Sequence, residues 1–320
     1  MSLPLIAIAG GSSQLGAAIL TALLETGTFR PVVLSRESSK TPAWLEALPV
    51  EVRRVNYLSY ESCTTALAGV HTVISTLLCK DGTWFVSQKN LLDAGLKVGI
   101  KRFVASEFGL GPLGTAEVDL FALEQLPIRL ALKAAAREHP DFEWTAFYNG
   151  AFMNYLGYGC ENAEAVGMDH SFLFNVKAMT ADIPVKEDGS FPDLTMTTIA
   201  DVGHFVAAAC ALPQGTWPED SYLAGETLSI GKVIDIIESV CGRKVIVRKY
   251  TKKALLEEIA QIPADSVREE DIMGRFFLQL TLAFAEGEQG KSVMAPDLNH
   301  RFPEIKTTSV EEYVRKYWGV

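Results

Sequence analysis

Three small residues at fixed spacing, Gly10, Ser13 and Gly16, carry the first chemical signal in this chain. They lie in Leu5-Ile6-Ala7-Ile8-Ala9-Gly10-Gly11-Ser12-Ser13-Gln14-Leu15-Gly16. A short apolar run closed by glycines predicts a buried parallel strand. Beyond it Leu15, Ala18, Ile19, Ala22 and Leu23 recur at helical spacing, and Gly27 supplies a left-handed stop. Such a strand–turn–helix aims free backbone N–H groups and the positive helix end at one point, which suits an anion. The spacing matches a dinucleotide-binding turn whose middle glycine is serine. Gly10, Ser12, Ser13, Gln14, Leu15 and Gly16 are its candidate contacts. The competing reading is a tight turn with no ligand, and the position between a strand and a helix favours the first.

The elements that must position this turn follow in order. Pro31 to Ser35 predicts a second strand, running into Arg36-Glu37-Ser38-Ser39-Lys40. Residues just past this strand lie beside the adenosine ribose, where a carboxylate would select NAD. Here Ser35, Arg36 and Lys40 suit a 2′-phosphate, since guanidinium binds phosphate through paired hydrogen bonds. Glu37 argues the other way if it turns inward, and a solvated loop is the alternative. The balance favours NADP(H). Val50 to Val55 predicts an outer strand, Ser59 to Gly69 a short helix, and His71 to Leu78 a buried strand whose Ser75, Thr76 and Leu77 line the crevice. Thr83 to Val98 predicts a helix with Gln88 facing that strand end. Lys101 to Gly109 is the next strand and its exit loop.

The glycine turn, Arg36 with Lys40, Val73-Ile74-Ser75-Thr76, and Lys101-Arg102-Phe103 running into Ser106-Glu107-Phe108-Gly109 come in that order. Together they resemble the NmrA-like and isoflavone-reductase-like branch of the atypical short-chain dehydrogenases. Trp144-Thr145 and Asn149-Gly150-Ala151-Phe152 match its fungal members. The resemblance is fullest over residues 1–155 and looser beyond, where Asp201-Val202-Gly203 before an apolar helix still fits. It implies an α/β fold: a doubly wound parallel-sheet Rossmann domain over 1–155 that binds NADP(H), and a smaller α/β substrate domain over 156–320. Residues 195–210 are expected to return to the main sheet. It further implies reduction of small aromatic or unsaturated metabolites, although some members bind the dinucleotide without turnover and act as regulators.

The chain departs from the family where chemistry is expected. The resemblance implies a catalytic lysine near the start of the helix before the sixth strand, and that slot falls near Gln125. Glutamine donates a hydrogen bond but releases no proton. Lys133 is the nearest substitute, yet Arg129, Lys133 and Arg137 recur every four residues opposite the Ile128, Leu132 and Ala135 stripe, as on a solvated face. Pro127 suits a first turn, so the helix is expected to start there and leave Gln125 in the preceding loop. A Tyr–Lys pair one helical turn apart is excluded, because no tyrosine occurs between Tyr60 and Tyr148. The remaining donors are Ser106, Glu107, Tyr148 and Asn149. Glu107 is a general acid if buried, or else orients its loop. Tyr148 and Asn149 end the Phe142 to Phe147 strand, beside the nicotinamide position. Phe152, Met153 and Tyr155 would wall a planar substrate, or pack between domains.

The C-terminal half says less. Asp182 to Leu194 predicts a hairpin or loop, Thr195 to Ile199 a strand of the main sheet, and Asp201 a helix cap. Leu228 to Val240 predicts a helix, Lys244 to Tyr250 a basic edge strand, and Ile272 to Phe284 an apolar cover for the substrate cleft. His204 is read as structural.

A length of 320 residues allows about two domains. A net charge of −10 argues against nucleic acid as the main partner, because phosphate backbones need a basic surface. No apolar run reaches the roughly 20 residues that span a bilayer. The first apolar stretch lacks a positive leader, and the five scattered cysteines are read as free thiols. These features predict a cytoplasmic protein with a small-molecule substrate, no membrane partner, and a homodimer left open. The reading is an NADPH-dependent reductase of an aromatic or polyketide-like metabolite, with Gln125, Lys133 or Tyr148 polarising a carbonyl or enone. The alternative is a non-catalytic NADP(H)-sensing regulator.

Overall fold

The computed structural model describes residues 3–79, 81–162 and 167–319. In chain order its strands begin with β1 (Leu5–Ala9), β2 (Arg30–Arg36), β3 (Glu51–Val55), β4 (Thr72–Ser75), β5 (Arg102–Gly109) and β6 (Glu143–Tyr148). They continue with β7 (Ala151–Phe152), β8 (Phe174–Asn175), β9 (Thr180–Val185), β10 (Asp193–Thr197), β11 (Asp220–Tyr222), β12 (Glu226–Ser229) and β13 (Ile246–Thr251). The main sheet runs β11-β6-β5-β4-β1-β2-β3, and every neighbouring pair is parallel. Strand order reverses between β1 and β4. In such a doubly wound sheet that switch point opens a crevice at the carboxyl ends of the strands.

Alternation along β1 builds both faces. Leu5, Ala7 and Ala9 enter one core, while Ile6 and Ile8 enter the other with Val33, Ile74, Val104 and Phe147. Each fully buried Leu, Ile or Phe contributes about 1.5–3 kcal/mol. The second core is covered by the Gln14–Thr26 and Ile199–Cys210 helices. They cross closely at Gly203, where a Cβ would stand 2.7 Å from the Ala18 carbonyl oxygen.

Two three-stranded sheets, β12-β10-β7 and β13-β9-β8, build the smaller region. The expectation for Thr195 to Ile199 is therefore corrected. β10 pairs with β7 and β12, and the strand that returns to the main sheet is β11. Strand propensity marks a strand without choosing its partner. Here the partners are fixed by buried threonines, Thr195 against Thr227 (2.7 Å) and Thr197 donating to the Asn149 carbonyl (2.7 Å). Only the helix of the 195–210 segment packs on the main sheet. Residues 182–185, expected in a hairpin or loop, belong to β9, which lies parallel to β13.

The helix before β6 also differs. It spans Asp119–Glu138 with Pro127 inside it, so Gln125 is helical. Proline cannot donate to the Leu123 carbonyl, but Leu123 is exposed and water can take that group. Tertiary contacts hold the early turns. Arg275 donates to Asp119 (2.6 Å), and Phe121 lies edge-on between Trp84 and Phe276. No helix among the described residues is long and apolar enough to cross a membrane.

Candidate functional site

The chain leaves β1 through Gly10, whose φ of +78° favours glycine and whose Cβ would stand 2.8 Å from Thr76 Oγ1. Ser13 caps the first helix, its Oγ accepting from Gly16 N at 3.1 Å. A Cβ on Gly16 would lie 2.4 Å from the Gly10 carbonyl oxygen, so strand and helix meet only because this residue is glycine. Ser12, Ser13 and Gln14 are exposed around the turn, and Leu15 is half-buried. Thr76 donates its hydroxyl to Ala9 O (2.9 Å), tying β4 to the turn, and Leu77 is buried behind it. Tyr57, which the sequence reading passed over, braces the same turn. Its buried hydroxyl donates to Leu34 O (2.9 Å) and accepts from Gly10 N (3.3 Å).

A cleft of about 750 Å³ lies alongside, lined by Arg36, Glu37, Ser38 and Asn56 together with Leu78, Asp81, Ser87 and Glu269. Lys40 is exposed on the same loop but outside this lining. The loop is held by Arg54, a second residue missed in the sequence. It reaches from β3 to Ser35 Oγ (3.0 Å) and Thr41 Oγ1 (2.6 Å).

β4 stops early, so beyond Val104 the backbone of β5 has no strand partner on that side. Two glutamines take its place. Gln88 Oε1 accepts from Ser106 N (2.9 Å), and Gln125 Nε2 donates to Ser106 O (3.1 Å). The Ser106 hydroxyl donates to Leu77 O (2.7 Å). Gln125 thus bonds to the main chain of β5. Lys133, on the outer side of the helix, pairs with Glu219 at 3.0 Å and stays 40 % exposed.

Arg129 is corrected from a solvated face to the interior. It donates to the Tyr148 hydroxyl (2.6 Å) and to Asp220 on β11 (2.5 Å), and its guanidinium lies 5.2 Å over the Trp144 ring. Tyr148 in turn donates to Glu107 Oε2 (2.8 Å). Expected beside the nicotinamide position, Tyr148 is instead fully buried with its hydroxyl committed on both sides. Burial pushes the Glu107 carboxyl up to about 7, against the opposing pull of Arg129 and Tyr148. Its Oε1 is buried without a partner. Burial likewise raises the Tyr148 phenol, with the Glu107 carboxylate adding to the effect. Asn149, also fully buried, bonds Gly150 O through Nδ2 (3.3 Å) and leaves Oδ1 unpartnered.

The three proposed wall residues separate. Phe152 packs on the core that holds Phe147, while Met153 is wholly buried in the opposite one. Tyr155 joins an aromatic cluster with His170 (ring centroids 5.3 Å) and Phe172 (5.5 Å). Phe277 stacks edge-on against His170 at 4.8 Å, and Phe276 links it to Phe121.

The model of the NmrA-like family matches residues 4–314. The chain belongs to the NmrA-like family. It is 31% identical over 311 residues to oxidoreductase BOA1 of Botryotinia fuckeliana, covering 94% of this chain and 95% of that protein. With oxidoreductase swnN of Metarhizium robertsii it shares 25% identity over 340 residues, 98% and 97% of the two chains. Among solved structures it resembles the binary complex of leucoanthocyanidin reductase with NADPH from Vitis vinifera. The TM-score is 0.71 at 17% identity, over 98% and 99% of the chains. An isoflavone reductase gives a TM-score of 0.70 at 18% identity, over 99% and 100%. These likenesses show a Rossmann-type α/β fold.

Within this NmrA-like chain the site divides into an open crevice at β1–β4 and a closed polar junction at β5–β6–β11. The crevice can hold an extended anionic ligand on exposed serines and backbone. The junction can hold a proton on Glu107, which Tyr148 links by hydrogen bonds to Arg129 and Asp220.

Proposed function

We propose that this NmrA-like protein is an NADPH-dependent reductase of a carbonyl or enone in a small aromatic or polyketide-like metabolite. We place it in the cytoplasm and in specialised metabolism, with homodimerisation left open. One observation carries the reading: the Gly10–Gly16 turn opens beside a cleft whose rim presents Arg36 where an NAD site would present a carboxylate. The names of the relatives and the NADPH complex of a neighbour of the same fold agree with it.

The residues fit a dinucleotide. Glycines at 10 and 16 let the turn close tightly against Thr76 and the strand end, and Ser12, Ser13 and Gln14 offer exposed donors at a helix start. Arg36 and Ser38 would hold a 2′-phosphate, with Arg54 keeping their loop in place. Glu37, Asp81 and Glu269 line the same cleft and disfavour the phosphate by charge, so the preference rests on direct paired hydrogen bonds from Arg36 outweighing them. The unpartnered buried Gln88 Nε2 and Asn149 Oδ1 lie at the β5 and β6 ends, where the nicotinamide half would need partners. Bound NADPH would supply the hydride. The chain's part is to hold the crevice rigid through Tyr57, Thr76, Gln88 and Gln125. Glu107 keeps a partly protonated carboxyl behind the β5 exit.

A second reading is favoured by the placement of Gln125 and Lys133, one bonded to backbone and the other paired on the surface. Without a lysine in that slot, the protein would bind NADP(H) as a regulator. NADPH deuterated at the transferable position, incubated with the protein and an extract of its host, separates the two. Label in a metabolite supports the reductase and names the substrate. Tight NADPH binding with no label in an extract that holds the relevant metabolites supports the regulator.

A further inference from the structure

Three large apolar side chains stand exposed in the cleft that Arg36 borders. Leu58 lies three residues past β3 and Leu78 three past β4, while Val267 comes from the stretch between the Lys252–Gln261 and Glu269–Phe284 helices. They are 56 %, 59 % and 92 % exposed, and Val267 is the most exposed large apolar residue among the described ones. Scattered apolar side chains on a surface are ordinary. Three that line one cleft mark a place where a ligand with an apolar face is favoured for covering them. Ile272, half-buried, lines the same cleft.

The stretch that carries Val267 is tied down from behind. Arg275 donates to the Ile259 and Ile262 carbonyls (3.0 and 3.2 Å), and it also donates to Asp119 at the start of the helix that holds Gln125. Ser266 donates to Asp271 (2.5 Å), which also accepts from Arg268 (2.8 Å). These bonds fix the polar groups around Val267 and leave its isopropyl group uncovered.

The occupant follows from the ribose. A 2′-phosphate held by Arg36 and Ser38 sits on the sugar that carries the adenine, so the ring must lie within one sugar's width of that phosphate, in the same cleft. Glu37, Asp81 and Glu269 disfavour a second anion there, but adenine is neutral and its amine donates hydrogen bonds. A volume of about 750 Å³ leaves room for the whole adenosine end.

We propose that Val267 and Ile272, together with Leu58 and Leu78, clamp the adenine ring of bound NADP(H). The coenzyme's adenosine end is then held by the stretch beyond β13 as well as by the loops of the parallel sheet. This inference rests on the coenzyme reading and adds to it a binding contribution from the smaller region.

The test uses the full-length protein with NADPH and with 2′,5′-ADP, which is the adenosine end alone. Val267→Ser trims an exposed side chain, so thermal unfolding should match wild type. The proposal expects this substitution to weaken NADPH and 2′,5′-ADP by the same factor, about three- to tenfold, the worth of one or two methyl groups covered by the ring. Val267→Leu, which keeps an apolar cover, should bind both at wild-type strength or tighter. Irradiated on the wild type, 8-azido-2′,5′-ADP should label the peptide that contains Val267. Unchanged affinities in Val267→Ser, an equal loss in Val267→Leu, or label confined to residues 36–58 would each overturn the clamp, while NADPH binding to the wild type leaves the coenzyme reading standing. If neither NADPH nor 2′,5′-ADP binds the wild type, the two fall together.

Discussion

Two strand ends on either side of β4, those of β1 and β5, meet the same demand, that every buried backbone group find a partner, in opposite ways. At β1 the turn closes on itself. Ser13 bonds to Gly10 and Gly16, and small residues let strand and helix touch. At β5 the strand outruns its neighbour, and Gln88, Gln125, Glu107, Tyr148, Arg129 and Asp220 converge from five separate stretches of chain. The first solution leaves an open crevice where the turn offers backbone N–H groups and exposed serines to an anion, beside a cleft lined by Arg36 and by Glu37, Asp81 and Glu269. The second makes a closed, charged junction whose side chains are committed to one another. A group can therefore bind at the first without disturbing the second, and a proton can be held at the second without being open to solvent.

Breaking the crevice should have the largest effect. Gly16→Val puts a branched side chain where even a Cβ stands 2.4 Å from Gly10 O, forcing strand and helix apart. We expect NADPH affinity to fall by about 100-fold or more, with overpacking also costing about 1–3 kcal/mol of stability. Fluorescence titration with denaturant unfolding would check both, and wild-type affinity would contradict the turn's assignment.

The junction sharpens the contrast through pH. Glu107 titrates near 7 in the folded protein, against about 4.5 for an ordinary glutamate. Between those values the folded state keeps a proton that the unfolded chain has released. The resulting stabilisation is complete below about pH 4.5 and is lost as pH rises through 7, by up to about 3 kcal/mol. Glu107→Gln should remove this slope from urea-unfolding free energies taken across that range, while NADPH affinity changes little. An unchanged slope would mean that Glu107 keeps an ordinary carboxylate pKa.

Lys133→Ala should have the smallest effect. The Glu219 pair is solvent-exposed, and such pairs contribute about 0–1 kcal/mol. NADPH binding and any turnover should match wild type. A large loss of turnover with binding intact would restore Lys133 as a catalytic candidate.

The contrast also explains what could be read from the chain. The β1 turn is local, spanning Gly10 to Gly16, and its residue types announce its geometry. The parallel strands were marked by similar local runs, whereas their order across the sheet depends on pairings that those runs do not specify. The junction is assembled from residues far apart in sequence. Arg129 carries the same four-residue spacing as Lys133 and Arg137, and Tyr148, 19 positions later, with Asp220, 91 positions later, draws it inward. Tyr57 lies 47 positions from the Gly10 amide it braces, so no pattern near either residue marks the bond. The Asp119–Glu138 helix runs through Pro127 because distant aromatics and Arg275 hold its first turns. Thr195 to Thr197 read as a strand, but its partners depended on hydroxyl contacts with Thr227 and Asn149.

The central claim is that the crevice takes NADP(H) through Arg36, and a single pair of affinities tests it. Dissociation constants for NADPH and NADH should be measured on wild type and Arg36→Ala. The account predicts that wild type prefers NADPH and that the substitution weakens NADPH by about 10- to 100-fold, the worth of one charged hydrogen-bonding group, while leaving NADH unchanged. Equal losses for both coenzymes, or no loss for either, would contradict it.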